Sequence, residues 1–117
     1  MKPKTESQIQ KECVAWFRAR YPEVEMMFFA VPNGGARNSW TAKIMRDEGV
    51  RAGVADLICL VPRHGFAALA IEMKTPEGRQ TDSQKAFERA CRRYLVRYEV
   101  CRSLEDFQTV VRNYLEE

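Results

Sequence analysis

Two short apolar runs, joined by a tight loop and bounded by charged residues, occupy positions 53–75 and restrict how this chain can fold. The sequence there reads GVADLICLVPRHGFAALAIEMKT. Asp56 precedes the first run, and Glu72 and Lys74 end the second. Residues two apart in a strand share a face, so we expect Glu72 and Lys74 to point the same way. Buried charges are costly without partners, and a divalent metal ion would be such a partner.

The order of these residues predicts that both acidic side chains lie at one edge of a sheet. Segments 56–61 and 66–74 are predicted strands, because the PRHG sequence between them is typical of a hairpin loop. In an antiparallel pair, the start of one strand lies beside the end of the other. Asp56 and Glu72 would then meet at one edge, where the carbonyl of Met73 could add a third oxygen. Hard divalent cations prefer such oxygen ligands.

Lys74, one step outward on the same face, could position or deprotonate an attacking water and stabilise developing negative charge. The alternative is a surface salt bridge between Glu72 and Lys74, with Asp56 as a turn residue at the start of its strand. His64 is the only histidine and lies at the predicted loop tip, away from these charged ends. We therefore expect His64 to face solvent rather than to act as a general base.

Periodicity and capping signals along the chain predict the order α-β-α-β-β-α-β-α. Trp40 and Ile44 are expected to face the core, and Gly49 is expected to end the second helix. Helices on both faces of a small mixed β-sheet, an α/β fold, are the natural packing for this order. Besides the central pair of strands, the predicted elements are helix 6–20, strand 25–31, helix 40–48, a helix from 81 or 82 to about 94, strand 95–101 and a final helix from 103.

Composition limits the function classes. The chain has 117 residues, enough for one modest core, and we expect a single domain over 1–117. Its apolar runs are too short to span a bilayer, and its N-terminus lacks the apolar segment of a signal peptide, so we expect a cytoplasmic protein without membrane partners. The four cysteines show no metal-binding spacing, which favours reduced buried thiols and argues against zinc.

The formal charge of +3 is too small to indicate nucleic acid, but the distribution of basic residues is more informative. Basic residues cluster on both sides of the acidic centre, with Arg51 before it and Arg79 after it, as suits a polyanionic substrate. Solvated helix faces are the alternative explanation. Backbone N–H groups in a glycine loop could also hold a phosphate, although a plain turn is an equal alternative; the residues concerned are Asn33, Gly34, Gly35 and Arg37.

Asp56 together with Glu72-Met73-Lys74 resembles the core motif of the PD-(D/E)XK nuclease superfamily. More narrowly, residues 6–84 resemble a VRR-NUC domain of the stand-alone, virus-type kind. One departure is Ala55, where the family usually has a proline, and this change leaves the acidic residues intact. The features that carry the resemblance are Glu6, Pro32-Asn33-Gly34-Gly35 with Arg37, Gly49-Val50, Ala52-Gly53-Val54-Ala55-Asp56-Leu57, Ile71-Glu72-Met73-Lys74-Thr75 and Ser83-Gln84.

The resemblance implies a restriction-endonuclease-like core and a DNA endonuclease that requires Mg²⁺ or Mn²⁺. It also implies action on branched or junction DNA, such as Holliday junctions, and a homodimer like those of junction resolvases. From its position alone, Glu6 would be an acidic residue favoured by the helix dipole; the resemblance instead makes it a site residue. The implied metal ligands are Asp56, Glu72 and the Met73 carbonyl, and the implied catalytic residues are Lys74, Asp56, Glu72, Glu6 and Gln84.

Two other functions fit the sequence less well. A non-catalytic module that binds nucleic acid or protein on a nuclease fold would have no reason to keep Asp56, Glu72 and Lys74 together. A metal enzyme acting on a small phosphorylated substrate lacks a Gly-rich nucleotide loop such as GxxxxGK[ST]. The leading hypothesis is therefore a metal-dependent nuclease.

Overall fold

A computed structural model of the chain describes residues 2–32 and 38–116, and it shows a four-stranded mixed sheet flanked by helices. The predicted fold class and element order are confirmed. The elements are α1 (Glu6–Arg20), a 3₁₀ helix (Pro22–Met27), β1 (Phe28–Ala30), α2 (Ser39–Asp47), β2 (Leu57–Cys59), β3 (Ala68–Met73), α3 (Asp82–Arg93), β4 (Val96–Cys101) and α4 (Leu104–Glu116).

The sheet has the strand order β1-β2-β3-β4. The first two pairs are antiparallel, and β3 pairs in parallel with β4. Leu57 lies opposite Ile71 in the β2–β3 pair. Asp56 directly precedes Leu57 and Glu72 directly follows Ile71, so the register brings both carboxylates to one edge, as the hairpin prediction requires.

The two faces of the sheet bury different side chains. One face packs on α1 and α4, and Ile71 and Met73 point into this larger core, as alternation predicted. On the other face Ala70 and Tyr98 pack with Cys91 of α3. Because side chains alternate along β3, Glu72 shares the face of Ala70 and lies on the α3 side of the sheet.

Two helices begin with capping boxes. In each box the hydroxyl of the N-cap threonine accepts a hydrogen bond from the backbone N–H of the third helical residue, and the side chain of that residue accepts one from the backbone N–H of the threonine. Thr5 and Gln8 form the box of α1, as predicted. Thr81 and Gln84 form the box of α3. The second box matters for the site, because it fixes the side chain of Gln84 in the first turn of α3.

The region between α1 and β2 differs most from the sequence-based expectation. Residues 25–27 belong to a 3₁₀ helix rather than to the first strand, since Pro22 fixes a helical φ at the start of that turn. Asn38, not Ser39, caps α2 with its side chain. The expectation that Trp40 and Ile44 face the core is wrong, because their exposed fractions are 72% and 40%.

The smaller predictions about Gly49, His64 and the cysteines are confirmed. Gly49 has a φ of +104° immediately after α2, as expected of a C-terminal glycine. His64 is exposed at the hairpin loop, where its Nε2 lies 3.0 Å from the carbonyl oxygen of Tyr114. All four cysteines are buried free thiols. Among the described residues, no helix is long and apolar enough to cross a membrane.

Candidate functional site

The carboxylate of Glu72 is the most deeply buried charged group at the sheet edge, with an exposed fraction of 1%. Its Oε2 accepts a hydrogen bond of 3.1 Å from Nε2 of Gln84. The ammonium nitrogen of Lys74 lies 4.0 Å from the same oxygen. The other oxygen, Oε1, is buried and has no hydrogen-bond partner within the described part of the chain. A buried oxygen without a partner costs free energy, which marks Oε1 as a position for a cation or a proton.

Asp56 lies beside Glu72 and is held by the backbone of β3. Its Oδ2 accepts a hydrogen bond of 2.7 Å from the N–H of Met73. In an extended strand the N–H and C=O of one residue face the same neighbouring strand. The carbonyl of Met73 therefore faces the side of β3 on which Asp56 lies, and its role as a metal ligand stays a prediction.

Burial, the hydrogen bond that forms with Asp56 when one of the two carboxyls is protonated, and the negative charge of Asp56 together raise the pKa of Glu72 to about 8. The charge of Lys74 opposes this shift, whereas the carboxylate of Glu6 adds to it. Two carboxyl groups this close share protons rather than ionise independently. At neutral pH the pair therefore holds a proton that a cation would displace.

Lys74 continues β3 by one residue, and its N–H donates a 3.0 Å hydrogen bond to the carbonyl of Cys101. Only 7% of Lys74 is exposed. Since both members of the Glu72–Lys74 pair are buried, the alternative of a surface salt bridge is wrong. An ammonium group held in this way can favour negative charge that develops next to the carboxylates.

Gln84 reaches Glu72 because the first turn of α3 lies against the loop before β2. Its Oε1 accepts the N–H of Thr81 at 2.8 Å, while its Nε2 donates to Glu72. Gly53 permits this approach, since a Cβ there would lie 2.5 Å from the carbonyl carbon of Ser83. Sequence reasoning missed the role of Gly53 in packing, although a glycine three residues before Asp56 was a signal of close backbone approach.

The model of the VRR-NUC domain family matches residues 4–105. The chain belongs to this family. A solved structure described as a VRR_NUC domain protein aligns with a TM-score of 0.87 at 21% sequence identity, covering 99% of this chain and 92% of that one. At this identity the structural similarity shows the fold, which is consistent with a restriction-endonuclease-like core. A comparison with curated proteins found no match. The VRR-NUC assignment makes this a nuclease-type domain.

The structure of this VRR-NUC domain brings four of the five predicted catalytic residues into contact: Asp56, Glu72, Lys74 and Gln84. The fifth, Glu6, is exposed in the first turn of α1 and acts on Glu72 through its charge. Their roles in catalysis remain predictions.

For the predicted DNA-binding residues, the structure shows the exposure of two arginines. Arg51 and Arg79 are exposed, in the loops before β2 and before α3 respectively. Two other basic residues pair within their own helices, Lys43 with Asp47 and Arg92 with Glu88, as expected of solvated helix faces. The predicted phosphate loop, with Asn33, Gly34, Gly35 and Arg37, lies outside the described residues.

The donor set at the sheet edge suits a hard divalent cation. In the described ranges no three His, Cys, Asp or Glu side chains form a metal-binding group. The ligands that the protein could supply to a metal ion at this edge are therefore two carboxylates and one carbonyl. Mg²⁺ keeps several waters and binds through one or two carboxylates, whereas zinc prefers sulfur and nitrogen ligands. The oxygen of Glu72 without a partner, next to Asp56, therefore fits Mg²⁺ or Mn²⁺.

Proposed function

We propose that this VRR-NUC domain is a divalent-metal-dependent endonuclease that hydrolyses DNA phosphodiester bonds. The observation that carries the proposal is the buried Oε1 of Glu72, which has no partner among the described residues and lies beside Asp56 and Lys74. A nuclease-type fold with an unused, buried carboxylate oxygen at the expected sheet edge is best explained by a metal centre.

Each side chain has a separate task in the proposed reaction. Asp56, Glu72 and the Met73 carbonyl would hold Mg²⁺ or Mn²⁺, which, when bound, acts as a Lewis acid and lowers the pKa of bound water. Gln84 fixes Oε2 of Glu72 and so leaves Oε1 for the metal. The ammonium of Lys74 orients the attacking water and stabilises negative charge on the phosphate.

Glu6 has a supporting task in this scheme. It is exposed in the first turn of α1, and its charge reaches Glu72. We place Glu6 at the outer boundary of the site, where its carboxylate can accept hydrogen bonds from water that surrounds the metal.

We further propose that the substrate is branched or junction DNA and that two copies of the chain act on it as a homodimer. Arg51 and Arg79 are exposed, and they precede and follow the acidic residues along the chain. In this proposal they contact phosphates on either side of the cleaved bond. The resemblance to junction resolvases supports a pair of sites that act on two strands.

A cleavage panel tests the proposal. Single-stranded, duplex, flap and four-way DNA are incubated with Mg²⁺, Mn²⁺ or EDTA, and products are resolved on denaturing gels. The wild-type protein is expected to cleave at least one substrate only with metal. Lys74→Ala and Asp56→Asn are expected to lose about 100-fold or more in rate, the scale of one general acid–base or electrostatic group.

Arg20→Ala is the matched control, since Arg20 bonds Glu116 at the opposite end of α1 from Glu6. It should retain wild-type cleavage. Wild-type rates for Lys74→Ala and Asp56→Asn on every substrate would refute the proposal. Metal-independent binding without turnover across the panel would instead support the non-catalytic binding module.

A further inference from the structure

The loop that follows Lys74 is tied to the end of β4 by one arginine. Nη1 of Arg102 donates to the carbonyl oxygens of Thr75 at 2.8 Å and Gly78 at 2.6 Å, with a longer contact of 3.3 Å to Pro76. These three carbonyls surround a single nitrogen. Bonds from a charged donor are about twice as strong as neutral ones, so this arrangement holds loop 75–78 in one conformation.

Arg102 is itself well anchored. Its backbone N–H donates a 2.9 Å hydrogen bond to Oδ2 of Asp106 in the first turn of α4. The residue before it, Cys101, accepts the N–H of Lys74 at 3.0 Å. The end of β4 therefore holds Lys74 through its backbone and loop 75–78 through the Arg102 side chain.

The loop returns to the side chain of Lys74 at Gly78. A Cβ added to Gly78 would lie 3.4 Å from Cδ of Lys74 and 3.2 Å from Oγ1 of Thr75. Gly78 thus lies beside the alkyl stem of Lys74, close enough that even a single added carbon would touch it. Because Arg102 binds the Gly78 carbonyl, it holds this part of the loop beside the lysine whose ammonium lies 4.0 Å from Oε2 of Glu72.

We propose that Arg102 is a positioning residue for Lys74: by binding the carbonyls of Thr75 and Gly78 it closes loop 75–78 over the lysine stem. This inference rests on the proposed function for its catalytic consequence. Its structural consequence, the protection and placement of the Lys74 ammonium, is independent of whether the protein cleaves DNA.

Two substitutions separate the hydrogen bonds of Arg102 from its bulk. Arg102→Met keeps an unbranched apolar side chain but has no donor. Arg102→Lys keeps a charged nitrogen, and since one nitrogen makes all three contacts, lysine can restore part of them. Arg20→Ala again serves as the control for general loss of stability, because it removes a multiply bonded arginine far from Lys74.

The first readout is the rate at which acetic anhydride modifies each lysine in the folded protein, followed by mass spectrometry. Lys74 should be protected in the wild type, as its exposed fraction of 7% requires. We expect modification of Lys74 to accelerate about fivefold or more in Arg102→Met, while the control and Arg102→Lys stay within about twofold of wild type.

The second readout is cleavage of whichever DNA the wild type cuts. Arg102→Met should lower kcat about tenfold with KM changed less than twofold, because Lys74 would act in the transition state rather than in binding. Arg102→Lys should recover most of kcat.

Unchanged protection of Lys74 in Arg102→Met, or wild-type kcat in that variant, would overturn the proposal. If the wild type cleaves nothing, the proposed function fails, and the acylation rates alone decide whether Arg102 holds Lys74 in place.

Discussion

Replacement of Gly53 by alanine tests how the first turn of α3 is placed over the site. Gly53 has a φ of +88°, and an added Cβ would lie 2.5 Å from both the carbonyl carbon and the carbonyl oxygen of Ser83 and 2.8 Å from its Cβ. These are mostly backbone atoms of a capped helix, so the clash cannot be relieved by one rotamer change. α3 must move away, and Gln84 must move with it.

Gly49 provides a matched control, since its φ is +104° and no described atom lies within 4 Å of the position that an added Cβ would take. Alanine at a positive φ costs about 1–2 kcal/mol at either position, and the stiffer unfolded chain returns about 0.4–1 kcal/mol. Overpacking adds about 1–3 kcal/mol at Gly53 alone. Gly53→Ala should therefore lose about 2 kcal/mol more stability than Gly49→Ala.

The assay is urea unfolding of both variants in EDTA, followed by far-UV circular dichroism. The free energy of unfolding should fall by about 1 kcal/mol for Gly49→Ala and by about 3 kcal/mol for Gly53→Ala, within the usual range for such changes. Equal losses for the two variants would refute the close packing of α3 on Gly53. A second consequence is weaker support of Glu72 by Gln84, visible as lower metal affinity in Gly53→Ala only.

Two further predictions concern titration. Because the pKa of Glu72 is raised to about 8 in the folded protein, above its ordinary value of 4.5, the stability it contributes is complete below pH 4.5 and is lost as pH rises through 8. The metal-free protein should thus lose up to about 4 kcal/mol between pH 5 and pH 8.5, at about 1.4 kcal/mol per pKa unit. Urea unfolding should find no such loss in Glu72→Gln, and a flat wild-type profile would contradict the prediction. Burial raises the pKa of the thiols of Cys13 and Cys101 to about 12. Ellman's reagent at pH 8 should therefore label these two thiols only in denaturant. Immediate labelling of both thiols in the folded protein would disprove this prediction.

The sequence was sufficient to predict the arrangement of the acidic edge. Alternation along β3 placed Glu72 and Lys74 on one face, and an antiparallel hairpin of this length placed Asp56 beside Glu72. These predictions depend on local period and register, which short apolar runs with a turn between them determine well.

The burial of α2 could not be predicted in the same way. Its pattern shows that one face of the helix is apolar, but not whether another element covers that face. None of the nine residues of α2 is buried, and Trp40 and Ile44 are exposed with the rest of the helix. Periodicity reports which side chains could be buried together, and tertiary packing decides whether they are.

The positions of Gln84 and loop 75–78 depend on contacts with no periodic signal. Gly53 lies against the backbone of Ser83, and Arg102 donates a hydrogen bond to the carbonyl of Gly78. Both contacts join parts of the chain that are distant in sequence. Such contacts follow from the packing of α3 and β4, so they emerge only when the whole fold is known.

The most direct test of the central claim is calorimetric titration of the protein with Mn²⁺ at pH 7.5, without DNA. The wild type should bind the metal, and Glu72→Gln, which keeps the size of the side chain but removes its charge, should lose at least tenfold in affinity, since carboxylate oxygens are the ligands that such cations prefer. Arg20→Ala should bind as the wild type does. Equal Mn²⁺ affinity in wild type and Glu72→Gln would contradict a metal centre at the Asp56–Glu72 edge.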